Sequence, residues 1–192
     1  MLARGERLTV ELVSIAMGGD AVARIDGMAV FVDGGVPGDI ATVEIIESRD
    51  RYARARLVDV VTPSPLAEPA GCEVADACGG CRFWRMPYHE EVATKARGVV
   101  DTLRRIGGVT DVPAPTIITG ASTDGYRERA RFRVDAEGLL GFYGARSHAV
   151  VPASGCRILH PGIVAALPTL SALFGRLDGV TAVFAEWDAV RE

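Results

Sequence analysis

Over the first sixty residues, apolar and polar side chains alternate in short runs at 8–15, 21–25, 28–32, 40–46 and 53–61. Successive side chains of a strand point to opposite faces, so each run reads as a strand with one buried face. Gly18-Gly19, Asp26-Gly27, Asp33-Gly34-Gly35 and Pro37-Gly38 supply turn chemistry between the runs. Five short strands that close on themselves leave no exposed edge, which predicts a small OB-like barrel. Thr62-Pro63-Ser64-Pro65, followed by Pro69-Ala70-Gly71, ends the pattern, because proline gives no backbone donor to a continuing sheet. A first domain over 1–62 is expected.

The period then changes. Val92, Ala96, Val99, Val100, Leu103 and Ile106 recur at helical spacing, Pro87 suits a first helical position and Gly107-Gly108 stops the run, so a helix is predicted over 87–106. Alternation returns at 126–134, 139–143 and 149–151, and 181–185 reads as a last strand. The apolar stretch 163–173 reads as a second helix that Pro168 is expected to kink or split. The fold class is therefore mixed and mainly β: a barrel, then an α+β domain over 63–192. No internal repeat or low-complexity tract interrupts it.

Composition narrows the function classes. The chain has 192 residues, 48% hydrophobic and 24% charged, which suits one or two globular domains. Residues 1–7 lack the apolar core of a secretory signal, and no apolar run lasts the roughly 18 residues of a membrane span. A cytoplasmic protein with no membrane partner is expected. The net charge of -4 argues against coating of nucleic acid by bulk attraction. It hides an asymmetry: seven basic against eleven acidic residues in 1–70, but ten against six in 81–133.

Four cysteines form one arrangement, Cys72-x5-Cys78-x2-Cys81 on a loop and Cys156 from far along the chain. A C-x-x-C step lets two thiolates converge from a tight turn, and Gly79-Gly80 between them lets the backbone wrap closely. Exposed amides there could donate to cluster sulfides, and Phe83 and Trp84 could shield a cluster from water. Structural zinc competes, since that metal accepts four thiolates, although its usual form has two short paired spacings. Disulfides rank last in a chain without an export signal. Spacing leaves iron-sulfur and zinc open. A radical-initiating cluster fits poorly, because it needs three thiolates and Cys156 offers a fourth.

Arg127, Arg129, Arg131 and Arg133 occupy every second position of one predicted strand. At a rise of about 3.3 Å per residue they would stand roughly 6–7 Å apart on one face, a spacing on which each guanidinium could fork onto a phosphate. The plainer reading is a solvated face paired with carboxylates across strands. His89, His148 and His160 are scattered without ligand spacing and read as surface or loop residues.

On these residues the sequence resembles the S-adenosylmethionine-dependent RNA 5-methyluridine (uracil-C5) methyltransferases. Gly18-Gly19-Asp20-Ala21-Val22-Ala23-Arg24, Val30-Phe31-Val32 and Val36-Pro37-Gly38-Asp39 resemble a TRAM domain, the RNA-binding barrel of that family. Cys72 through Cys81, then Tyr88, Lys95, Leu103 and Arg105-Ile106-Gly107-Gly108, resemble its cluster loop and following helix. Tyr126-Arg127, Arg129-Ala130-Arg131-Phe132, Gly141-Phe142-Tyr143 and Cys156 resemble its central domain. Where the family usually has Gln-His after the loop, this chain has Phe83-Trp84-Arg85.

The resemblance implies a [4Fe-4S] cluster on Cys72, Cys78, Cys81 and Cys156, serving folding and RNA positioning, and RNA contact, with rRNA or tRNA, by the arginine strand. It also implies what these residues lack: a glycine-rich S-adenosylmethionine loop, a nucleophilic Cys and a Glu base. These residues alone are expected not to transfer methyl groups, and to work with a separate methyltransferase domain or chain. In the family the helix after the loop packs on that domain, so Val92, Val99, Leu103 and Ile106 are expected to form an apolar patch, exposed or capped by the C-terminal segment. A zinc-stabilised adaptor for RNA or protein is the alternative.

Overall fold

The computed structural model describes residues 2–175, 177 and 179–188. It divides into two compact units, one of Met1–Pro69 with Arg82–Ile117 and the other of Ala70–Cys81 with Ile118–Glu192.

In the first unit five strands, β1 (Arg7–Ile15), β2 (Ala21–Ile25), β3 (Met28–Asp33), β4 (Ile40–Ser48) and β5 (Tyr52–Thr62), close into a barrel in the order β1-β2-β3-β5-β4. All pairings are antiparallel except β3 with β5. The alternation read from the sequence is the cause: Leu12, Val30, Val32, Val43, Ile45, Ala53 and Ala55 point inward and are fully buried. On the outer surface Glu44 of β4 sits between Arg7 of β1 and Arg56 of β5, 3.1 Å from each. Those two guanidinium groups, Arg56 first, hold its carboxyl below the usual carboxylate range.

The barrel end is stitched by a carboxylate. Asp39 is fully buried and accepts from the Val36 N–H at 2.8 Å and the Ser64 N–H at 2.7 Å, tying the β3–β4 turn to the segment after β5. Gly35 beside it has φ +89°, and a Cβ there would lie 2.2 Å from Leu12 Cδ1, so only glycine passes.

Helix α1 (Tyr88–Arg105) starts directly after Pro87, with Glu90 and Glu91 in its first turn and Arg104 and Arg105 in its last, each favourable for the helix dipole. The boundary expected at residue 62 put this helix with the later residues; its contacts group it with the barrel. Met17 Sδ lies against Gly98, where an added Cβ would approach to 2.8 Å. The Phe83 ring, expected to shield the cysteines, sits 5.1 Å below the Lys95 ammonium and lines a hollow with Ile15, Met17 and Val99. Of the four residues of the expected patch, Val99, Leu103 and Ile106 are exposed, Ile106 at 83%, while Val92 is half-buried.

In the second unit β6 (Arg129–Val134), β7 (Leu140–Tyr143), β8 (Val150–Pro152) and β9 (Ala182–Glu186) form an antiparallel sheet in the order β8-β7-β6-β9. Its inner face, with Ala130, Phe132, Leu140 and Val183, packs against Ile163 and Leu167 of α2 (Pro161–Phe174). Pro168 does not split α2, which runs through the lost backbone donor to Phe174, with Ile163 and Leu167 buried ahead of it. The architecture is thus an OB-like barrel plus a small α+β unit. Among the described residues no helix is long and apolar enough to cross a membrane.

Candidate cluster loop and arginine face

The four cysteines all belong to the second unit. Each is a half-buried thiol. The loop is tightly wound: the Ala75 N–H donates to the Cys72 carbonyl at 3.1 Å and the Cys78 N–H to the Val74 carbonyl at 2.8 Å. It is also anchored, because Cys78 bridges to Gly144 and the Gly79 N–H donates to the Tyr143 carbonyl at 3.0 Å. A Cβ on Gly79 would lie only 3.0 Å from that same oxygen, which is why the C-x-x-C step carries glycine there. The Gly80 N–H donates to Cys78 Sγ at 3.4 Å.

The residue after Cys156 is tied to the start of the loop. Arg157 Nη1 donates to the Gly71 carbonyl at 2.7 Å, joining the residue after Cys156 to the residue before Cys72. Burial raises the Cys156 thiol above its ordinary pKa, with a smaller contribution from Cys72 and Cys78; backbone hydrogen bonds from Leu159 and Ile158 oppose the rise.

The donor set fits a four-thiolate centre in number, softness and chain connectivity. In this conformation, among the described residues, no three His, Cys, Asp or Glu side chains converge to hold one metal ion. A single zinc would require thiolates at about 2.3 Å from one point, whereas a cube of iron and sulfide takes its ligands at separate corners.

The arginine strand divides. Strand β6 begins at Arg129, and its register pairs Arg129 with Glu186, Arg131 with Phe184 and Arg133 with Ala182, so these three arginines share the solvent face. Arg127 does not extend that row. It lies before the strand, bridged to Leu159, and its guanidinium stands 5.4 Å from the centroid of Phe142, which packs on Phe132 on the inner side. Arg133 lies 4.7 Å over the Tyr143 ring, and Arg129 Nε is 2.6 Å from Glu186 Oε1.

Three contributors were missed by sequence reasoning. Arg157 and Phe184 act through partners far away in the chain, for which no local signal exists. His160, read as a surface residue, caps α2 by accepting from the Gly162 N–H at 3.2 Å and stacks on Trp187. The Ser or Asp usual at such a position is absent.

Comparison with known proteins agrees with this architecture. Residues 2–58, the barrel, match the TRAM domain. An uncharacterized RNA methyltransferase of Corynebacterium efficiens is 36% identical over 164 residues, 85% of this chain and 39% of that protein. The 23S rRNA (uracil(1939)-C(5))-methyltransferase of Thiobacillus denitrificans is 34% identical over 174 residues, 88% of this chain and 40% of that one. The chain is similar to these RNA methyltransferases over most of its own length and matches the TRAM domain over residues 2–58. It spans about two fifths of the length of these relatives. The crystal structure of Pyrococcus abyssi tRNA (uracil-54, C5)-methyltransferase in complex with S-adenosyl-L-homocysteine shares the fold, with a TM-score of 0.54 over 86% of this chain and 36% of that one at 21% identity.

Proposed function

We propose that these residues are the RNA-binding, [4Fe-4S]-carrying portion of an RNA uracil-C5 methyltransferase of the 23S rRNA or tRNA type, acting in the cytoplasm. Cys72, Cys78, Cys81 and Cys156 are the cluster ligands in this reading. The cluster supplies a cross-link between two distant stretches of chain and takes no part in methyl transfer. Arg157 supports the assignment, since its bond to Gly71 holds those same stretches together. Methyl transfer with S-adenosylmethionine belongs to a methyltransferase domain or partner chain.

The observation that carries the RNA reading is the solvent face of β6, where Arg129 and Arg131 stand exposed in a relative of RNA methyltransferases. Arg129 is held by Glu186 across the strands, but both side chains are well exposed, and such a pair is weak enough to yield to phosphate. Arg133, over Tyr143, is a secondary contact, and Arg127 braces the sheet from its other side.

The test is RNA binding by the chain as a function of salt. Replacing Arg129 and Arg131 together with Gln should weaken binding and lower the log–log salt slope by about 1.4, at about 0.7 per phosphate contact on a single strand. An unchanged slope contradicts the assignment.

A further inference from the structure

The arginine row does not stand alone on its face. Directly across from Arg131, on the edge strand β9, is Phe184, an apolar ring 63% exposed in the middle of a strand. The same register places the small Ala182 and the pair Arg129–Glu186 on either side of it. On the other flank, Arg133 lies over Tyr143, whose ring is also exposed. The opposite face of the sheet is closed by α2, and there Phe132 is fully buried. Phe184 is therefore no stray core residue: the register that buries Val183 against α2 sends its ring outward among guanidinium groups.

An exposed ring within a row of arginines, on the open face of a four-stranded antiparallel sheet backed by a helix, is the chemistry of a base-stacking platform. Duplex RNA offers its phosphates and sugars but keeps its bases stacked on one another, so a flat aromatic surface gains nothing from it. An unpaired strand presents both charged phosphates and free base faces.

We propose that the solvent face of β8-β7-β6-β9 takes an unpaired RNA segment, with one base stacked on Phe184 and the flanking phosphates held by Arg129 and Arg131. This deepens the RNA-binding reading above and rests on it. The charge on the row selects a polyanion, and the ring selects a single strand over a duplex. Glu186 sets the register of Arg129 until phosphate displaces it.

The experiment is fluorescence anisotropy with a short mixed-sequence single-stranded RNA and with the duplex of the same length, using the chain, its Phe184→Ala and Phe184→Tyr variants, and the Arg129→Gln/Arg131→Gln variant. The chain should prefer the single strand. Phe184→Ala should weaken single-strand binding by roughly 5- to 150-fold, leave duplex binding and the salt slope unchanged, and melt like the parent chain because the ring is solvent-exposed. Phe184→Tyr keeps the stacking surface and should bind like the parent. Undiminished single-strand binding by Phe184→Ala overturns the stacking platform, and if the arginine variant is impaired in the same assay the broader reading stands. Equal affinity of the chain for duplex and single strand also overturns it. Failure of the chain to bind either RNA overturns both, and would point to an acidic protein surface as the occupant.

Discussion

Arg157 donates from Nη1 to the Gly71 carbonyl at 2.7 Å and from Nη2 to the Asp124 carboxylate at 2.6 Å. One guanidinium thereby fastens three separated stretches of the second unit, two of which end on cysteines. Geometry of this kind is a prerequisite for a centre with one distant ligand, since the loop entropy of bringing Cys156 to the others is met partly by protein contacts.

Arg157→Met, which keeps the stem and removes the donors, should therefore destabilise the second unit. A hydrogen bond to a charged group is worth about 1.5–3 kcal/mol, and the exposure of this side chain reduces that to about 1 kcal/mol. Urea unfolding reports the loss, and iron release to a chelator should be faster in the variant. Unchanged stability and release would mean that the contact holds nothing.

In the barrel, Asp39→Ala leaves the Val36 and Ser64 amides without an acceptor at buried positions. Two unsatisfied donors cost about 2–5 kcal/mol, a large share of the stability of a small barrel. Chemical denaturation followed by circular dichroism measures it. Asp39→Asn keeps one acceptor oxygen and should fall between the two.

The two kinds of apolar residue should separate sharply. Phe132 is fully buried and packs on Phe142 with ring centroids 5.3 Å apart, so Phe132→Ala should cost about 3–5 kcal/mol. Ile106, 83% exposed beyond the end of α1, should tolerate Ile106→Ser within about 0.5 kcal/mol. Thermal melts of the two variants, run side by side, check the pair.

The elements that alternate cleanly were legible because burial on one face dictates a period of two: β2, for instance, occupies Ala21–Ile25, the run marked out in the sequence. What escaped was long-range. Arg127 reads as part of a strand by spacing, yet β6 starts two residues later, because the residue instead bridges to Leu159, which no local pattern announces. Asp39 follows the Pro37-Gly38 turn with no local sign of its partner, because Ser64 lies beyond β5. The grouping of α1 with the barrel likewise brings together residues far apart in the chain, such as Met17 and Gly98. The cysteine loop was legible from C-x-x-C and its two glycines; the bond from Arg157, beside Cys156, to Gly71 was not.

Cys156→Ser removes the proposed distant ligand while leaving the loop and its bridge to Gly144 in place. The variant should retain less iron after anaerobic purification and release the remainder faster to a chelator. Iron content equal to that of the parent would exclude Cys156 from the ligand set.

Most direct is the metal and sulfide content of the parent chain purified without oxygen. The account predicts a brown protein with iron and acid-labile sulfide in equal amounts, about four of each per chain. A colourless protein holding one zinc and no sulfide would contradict it.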